Sequence, residues 1–135
     1  MEDNRIKHLE MIQNIISRMN SNSFQIKGWM IAVVSALFAI CVSSNNVSYI
    51  YVALIPTLAF WLLDAYYLNQ ERRFRELYKD VLSPNSVILP FSMPIDKYRN
   101  SKCCFWGSFF SLTVCWLYGI ILLVIVGIVL HCILL

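Results

Sequence analysis

Asp64 is the one acidic residue inside an apolar run of this chain. An ionisable side chain at membrane depth is expensive to bury, so such a residue marks a functional site by default. Lys27 stands at the base of a neighbouring apolar run, at similar depth if the two runs are antiparallel. Opposite charges so placed can pair. The pair would be a structural lock, with Arg18 as an alternative partner for Asp64, or part of a polar seam used in gating or proton-linked movement.

Other reactive side chains do not assemble into a recognisable centre. His8 and His131 are the only histidines and lie at opposite ends of the chain. His8 with Glu10 and Gln13 could face a cytoplasmic cavity, but reads first as the polar side of a surface helix. Cys41, Cys103, Cys104, Cys115 and Cys132 form an odd set without the spacing of a disulfide framework or a zinc site. Catalysis needs a positioned acid, base or nucleophile. The expectation is therefore a protein that is not an enzyme and has no metal or cofactor. Arg72, Arg73, Arg75 and Lys79 form the densest basic cluster, interleaved with Glu71, Glu76 and Asp80. Interleaving favours salt bridges, with Glu71–Arg75 and Arg72–Glu76 four apart. It argues against nucleic acid, which favours an unbalanced basic face. His8, Glu10, Arg72, Arg73 and Arg75 together make a candidate surface for a cytoplasmic partner.

The elements that must position these residues are set by composition. The chain is 59% apolar and 14% charged over 135 residues, against about 25% charged in soluble domains. Its eleven Lys and Arg residues fall in two blocks, Arg5–Lys27 and Arg72–Lys102, and the apolar runs lie outside them. A hydrocarbon core about 30 Å thick needs about 20 apolar residues in a helix. The pattern predicts an all-α membrane protein of one domain. Residues 1–22 form a cytoplasmic amphipathic helix with Leu9, Ile12, Ile16 and Met19 on one face. Spans follow at 24–44, 47–68 and 112–134. A helical extension covers 69–82, and 83–104 is a Pro-containing extended loop. Asn20–Ser23 reads as a polar break, with Ser23 as the N-cap of the first span. The charged stretch ending at Lys27 is too long for the leading region of a signal peptide. Excess Lys and Arg marks the cytoplasmic side. The N-terminus is thus expected inside and the C-terminus outside the plasma membrane.

Packing signals follow the same periods. Gly28, Ala32 and Ala36 are four apart, and Ser111, Cys115 and Gly119 repeat the pattern. Such small ridges let helices approach closely in lipid. They predict packing between subunits or within the first hairpin, and hence a homo-oligomer in the bilayer. In the loop, the apolar stretch from Val87 to Met93 is expected to lie across a neighbouring helix rather than in water. Residues 105–111 are expected to be interfacial.

Several stretches resemble a known group. His8-Leu9-Glu10, Ile12-Gln13, Arg18-Met19, Asn22-Ser23-Phe24 and Lys27-Gly28-Trp29 resemble the opening of a family of small bacterial multi-span membrane proteins. Phe60-Trp61-Leu62-Leu63-Asp64-Ala65-Tyr66-Tyr67-Leu68, then Glu71-Arg72 and Phe74-Arg75, resembles its second signature, and Phe91-Ser92-Met93 is similar too. The resemblance covers nearly the whole chain. The family is mostly uncharacterised, with similar proteins encoded beside antiphage systems such as RADAR and type VI CRISPR loci. The resemblance implies an accessory or effector of bacterial defence with a cytoplasmic defence protein as partner. It brings no catalytic residues.

The leading expectation is an oligomeric membrane effector that responds to a cytoplasmic signal by perturbing the membrane or forming a pore. The difficulty is the scarcity of polar residues to line a pore. The alternative is a non-conducting scaffold that recruits a cytoplasmic partner.

Overall fold

The computed structural model describes residues 2–44, 48–99 and 104–134, all-helical apart from loops. Helix α1 spans Glu2–Ser44 and α2 spans Ser48–Leu82. A 3-10 turn at Ile95–Tyr98 and a short helix α3 at Phe105–Phe109 lead to α4 at Leu112–Leu134. Three of these, α1, α2 and α4, are long and apolar enough to cross a membrane.

Helix α1 is unbroken, contrary to the expected stop at Asn20–Ser23. The reason lies in the inward positions. His8, Ile12, Ile15, Met19, Ser23, Ile26, Met30, Val34, Leu37 and Cys41 recur at intervals of three or four and are buried or half-buried. His8, Met19, Met30 and Cys41 mark a repeat of about eleven residues, which matches a nearly straight helix. The polar quartet interrupts composition but not this stripe, so the helix continues for about 64 Å. Ser23 therefore faces inward from mid-helix and caps nothing.

Helix α2 is the centre of the fold: α1, α3, α4 and the 3-10 turn all pack on it. It accommodates Pro56. Next to it, Thr57 is fully buried and donates its hydroxyl to the Ala53 carbonyl at 2.7 Å. The apolar core falls into three clusters along the α1/α2 hairpin. Ile50, Ala53 and Ile125 form the one nearest the α1–α2 turn. Met30, Val34, Val114 and Tyr118 form the middle one. Ile12, Phe74, Leu77, Val81 and Tyr98 form the third, at the far end. That far end projects beyond the apolar windows, and the loop after Leu82 folds back over it.

The expected ridge of Gly28, Ala32 and Ala36 is not part of the hairpin. All three are exposed, and a Cβ added at Gly28 would meet nothing within 4 Å. Larger residues one face round, Ile26, Met30 and Val34, make the contact with α2 instead. Ser111, Cys115 and Gly119 are half-buried along the flank of α4, whose packing face is Val114, Tyr118 and Ile125.

Candidate functional site

A polar layer separates the middle and far apolar clusters. Its heart is Asp64, whose side chain is 0% exposed. Lys27 from α1 reaches it with Nζ 2.6 Å from Oδ2 and 2.8 Å from Oδ1. Ser23, one turn before Lys27, donates its hydroxyl to Asp64 Oδ1, and Lys27 donates to Ser23 Oγ at 2.7 Å. The carboxylate thus has a charged and a neutral partner on one helix. Oδ2 is in the ion pair and has no hydrogen-bond partner among the described residues. Lys27 is less enclosed, with 25% of its side chain exposed. Its stem can follow apolar surface while the head stays near water.

Helix α4 closes this layer. Tyr118 of α4 is fully buried and donates to the Phe60 carbonyl at 3.2 Å. Trp61 lies nearly parallel to both Tyr118 and Phe109, with ring centroids 5.8 and 4.7 Å apart. Its indole N–H donates to the Phe109 carbonyl at 3.2 Å. This stack ties α2 to α3 and α4 beside Asp64. Stacked aromatic pairs contribute about 0.5–1.5 kcal/mol beyond their burial.

Farther along α2, Arg72 reaches the α3 region rather than Glu76. Its guanidinium donates to the Gly107 carbonyl at 3.2 Å, Ser108 Oγ at 3.4 Å and Ser111 Oγ at 2.8 Å. Asn69 donates to the same buried Ser108 at 3.4 Å. Glu76 pairs with Lys79 at 2.7 Å, three residues on. Glu71 and Arg75 do pair, at 2.6 Å. Arg72 leaves its same-helix acid because the break between α3 and α4 offers it a carbonyl and two hydroxyls. Cys115 donates its thiol to the Phe109 carbonyl in the same break, at 3.5 Å.

The far tip differs from the sequence reading. His8 is 1% exposed and lies under the loop, its ring 6.0 Å from that of Phe91. It is no surface residue, because the loop from Ser83 to Pro94 covers the inward face of α1 there. Its Nε2 is buried with no hydrogen-bond partner among the described residues. Phe91 adopts φ 63°, a left-handed conformation that a bulky residue rarely takes. Arg5 closes the end of α2, donating from Nε to the Val81 carbonyl at 3.1 Å. It donates from Nη2 to the Leu82 and Ser83 carbonyls at 2.5 and 3.1 Å. The last carbonyls of a helix lack helical partners and favour a cation. Tyr98 donates to Asp80 at 2.5 Å, and burial, then that hydrogen bond, holds its phenol well above the ordinary tyrosine range.

The expected partner surface is therefore dispersed. His8 is buried, Arg72 is engaged with α3, and Arg73 is half-buried with Nε unpartnered among the described residues. Only Glu10 and Arg75 remain exposed. The loop stretch is split too: Ile88 and Met93 pack on the far cluster, while Val87 is 94% and Leu89 73% exposed. Cys104 is exposed, and Cys103 lies outside the described residues. Among the described residues no His, Cys, Asp or Glu cluster could hold a metal.

Sequence reasoning did not find Ser23, Asn69, Ser108 or Arg5. For Ser23 a signal exists: it precedes Lys27 by one turn on the inward stripe. The other three depend on contacts between distant segments and leave no local mark.

Architecture and polar layer together define the class: an all-helical protein with three helices long and apolar enough to span a membrane, organised on a central second helix. No protein-family model matches the chain, and neither a curated protein nor a solved structure does.

Proposed function

We propose that the protein is an inner-membrane scaffold that presents the far tip of its α1/α2 hairpin to a cytoplasmic partner. One observation carries this reading: Val87, Leu89 and Phe91 are exposed at that tip. From Asp64 to Leu82 the helix rises about 27 Å, so the patch stands away from the apolar windows, where lipid would otherwise cover it. Exposed apolar side chains grouped outside a membrane support a protein contact. The confinement of Lys and Arg to this side supports a cytoplasmic tip. The family resemblance supports a partner from bacterial defence.

A pore-forming effector is the second reading. It draws on the outward ridge of Gly28, Ala32 and Ala36, which leaves a surface for a second copy in lipid. The charged and best-enclosed polar groups favour the scaffold: Thr57, Asp64 and Ser108 are buried within one chain, while the outward side of the apolar helices offers hydroxyls such as Ser35, Ser43 and Thr113. Ion flux through purified protein in liposomes separates the two. Sustained conductance would reject the scaffold. Loss of co-purification with a cytoplasmic protein on Val87→Ser plus Leu89→Ser, with the membrane protein still folded, would support it. Ala32→Leu tests the ridge: an unchanged oligomer by native mass spectrometry removes it from assembly. Reporter fusions at 85–99 and after Leu135 test the orientation.

A further inference from the structure

A cavity lies beside His8, under the same loop that carries Leu89 and Phe91. It measures about 300 Å³ and opens between the start of α1, the end of α2 and the loop. Its polar lining is Asn4, Arg5, His8, Ser83 and Ser86, and its apolar wall includes Val81 and Ile88. Three features distinguish it from a surface dent.

The first is an unmet hydrogen bond. His8 lines the cavity, is 1% exposed, and has Nε2 buried without a partner among the described residues. Buried polar groups are nearly always satisfied, so an exception calls for a missing partner. The second is charge. Arg5 brings a fixed positive charge to the wall, and among the described side chains no carboxylate lines it. Arg5 is anchored to three carbonyls through Nε and Nη2. Its Nη1 hydrogens are not used in that anchoring. A guanidinium held on one edge presents the other with little loss of side-chain freedom. The third is the number of donors. An arginine, an imidazole, an amide and two hydroxyls exceed what a carboxylate can accept and suit the oxygens of a phosphate.

We propose that this cavity binds a phosphate monoester. Arg5 and His8 would hold the phosphate, and the organic group would lie against Val81 and Ile88. The cavity is several times larger than a phosphate alone and matches the lower end of small-molecule sites. His8 Nε2 is closed off from solvent in this state, so full engagement requires the stretch from Ile88 to Phe91 to shift. The left-handed Phe91 makes that stretch the strained part of the loop.

The test uses the full chain in nanodiscs with ¹⁵N-labelled histidine. His8 and His131 supply the only imidazole signals, with His131 exposed on the last turn of α4 as the internal control. Phenyl phosphate, inorganic phosphate and sodium chloride at matched ionic strength are the probes. A saturable shift of the His8 signals with phenyl phosphate is expected, with inorganic phosphate about tenfold weaker for want of the apolar contact. Ile88→Trp, which fills the cavity and leaves Arg5 in place, should abolish it. A His8 shift that sodium chloride reproduces would overturn the proposal. So would one that Ile88→Trp in folded protein leaves intact, or no saturable shift up to about 50 mM ligand, where even a millimolar site would be filled.

Discussion

The polar layer around Asp64 and the tip around His8 both bury titratable side chains between α1 and α2, and they settle them in opposite ways. At the layer, the charge is met on the spot by an ammonium and a hydroxyl from one turn of one helix. At the tip, an imidazole nitrogen is buried without a partner among the described residues, a phenylalanine is left-handed, and large apolar side chains stay exposed. Local unsatisfied groups and strain concentrate where a structure is kept ready to change. The layer is built to hold the spans, and the tip is built at a cost that holding does not require.

Breaking the layer should produce the largest effect, and unequally for the two partners. Lys27→Met strands a carboxylate that is fully enclosed. Loss of about 3–5 kcal/mol is expected, the cost of leaving one member of a buried pair alone. Asp64→Asn should cost less, because Lys27 is partly exposed and can turn its head to the interface. The double variant should lose less than the sum of the singles. Reversible unfolding in mixed micelles measures all three. Equal losses for the single variants would remove the asymmetry claimed here.

At the tip, Arg5→Ala should cost about 1–2 kcal/mol by uncovering the end of α2. The effect should appear as faster amide exchange at Val81–Ser83 while the layer stays protected. His8→Leu should go the other way. It removes an unmet polar atom from a buried position, and a gain of about 1 kcal/mol is expected. Destabilisation by His8→Leu would show that the imidazole is satisfied, and the contrast between the two regions would fall.

A smaller effect concerns pH. The folded tip holds the Tyr98 proton more tightly than the unfolded chain does. Its contribution is therefore complete below the ordinary tyrosine value of about 10 and is lost as pH rises above it. Tyr98→Phe should flatten the alkaline limb of the stability curve. The least effect belongs to Lys7→Ala, which breaks the exposed pair with Asp3 at 3.0 Å. A change under about 0.5 kcal/mol is expected in thermal melts.

The same two regions mark how far the sequence could be read. Three apolar runs of bilayer length define three helices without any knowledge of contacts. Asp64 and Lys27 could be matched because few charges lie at that depth and an antiparallel hairpin brings them level. Composition misled at Asn20–Ser23, where polar residues suggested a break although the inward stripe ran on through Ser23. The tip was the least legible part. Whether His8 faces water depends on a loop more than 70 residues later, and nothing near His8 records where that loop goes. Arg72 shows the same limit: the acid four residues on was the local choice, and α3 offered a better one.

The Arg5 cap has a consequence for synthesis. Its acceptors lie 76 to 78 residues downstream. At ribosomal rates of about 5–20 residues per second, the guanidinium waits roughly 4–15 s for them to be made. On the proposed orientation, α2 enters the bilayer in that interval and its distal turns emerge. Tip closure thus comes after hairpin insertion, and it needs nothing from α4. A ribosome stalled once Tyr98 has cleared the exit tunnel should already carry a closed tip.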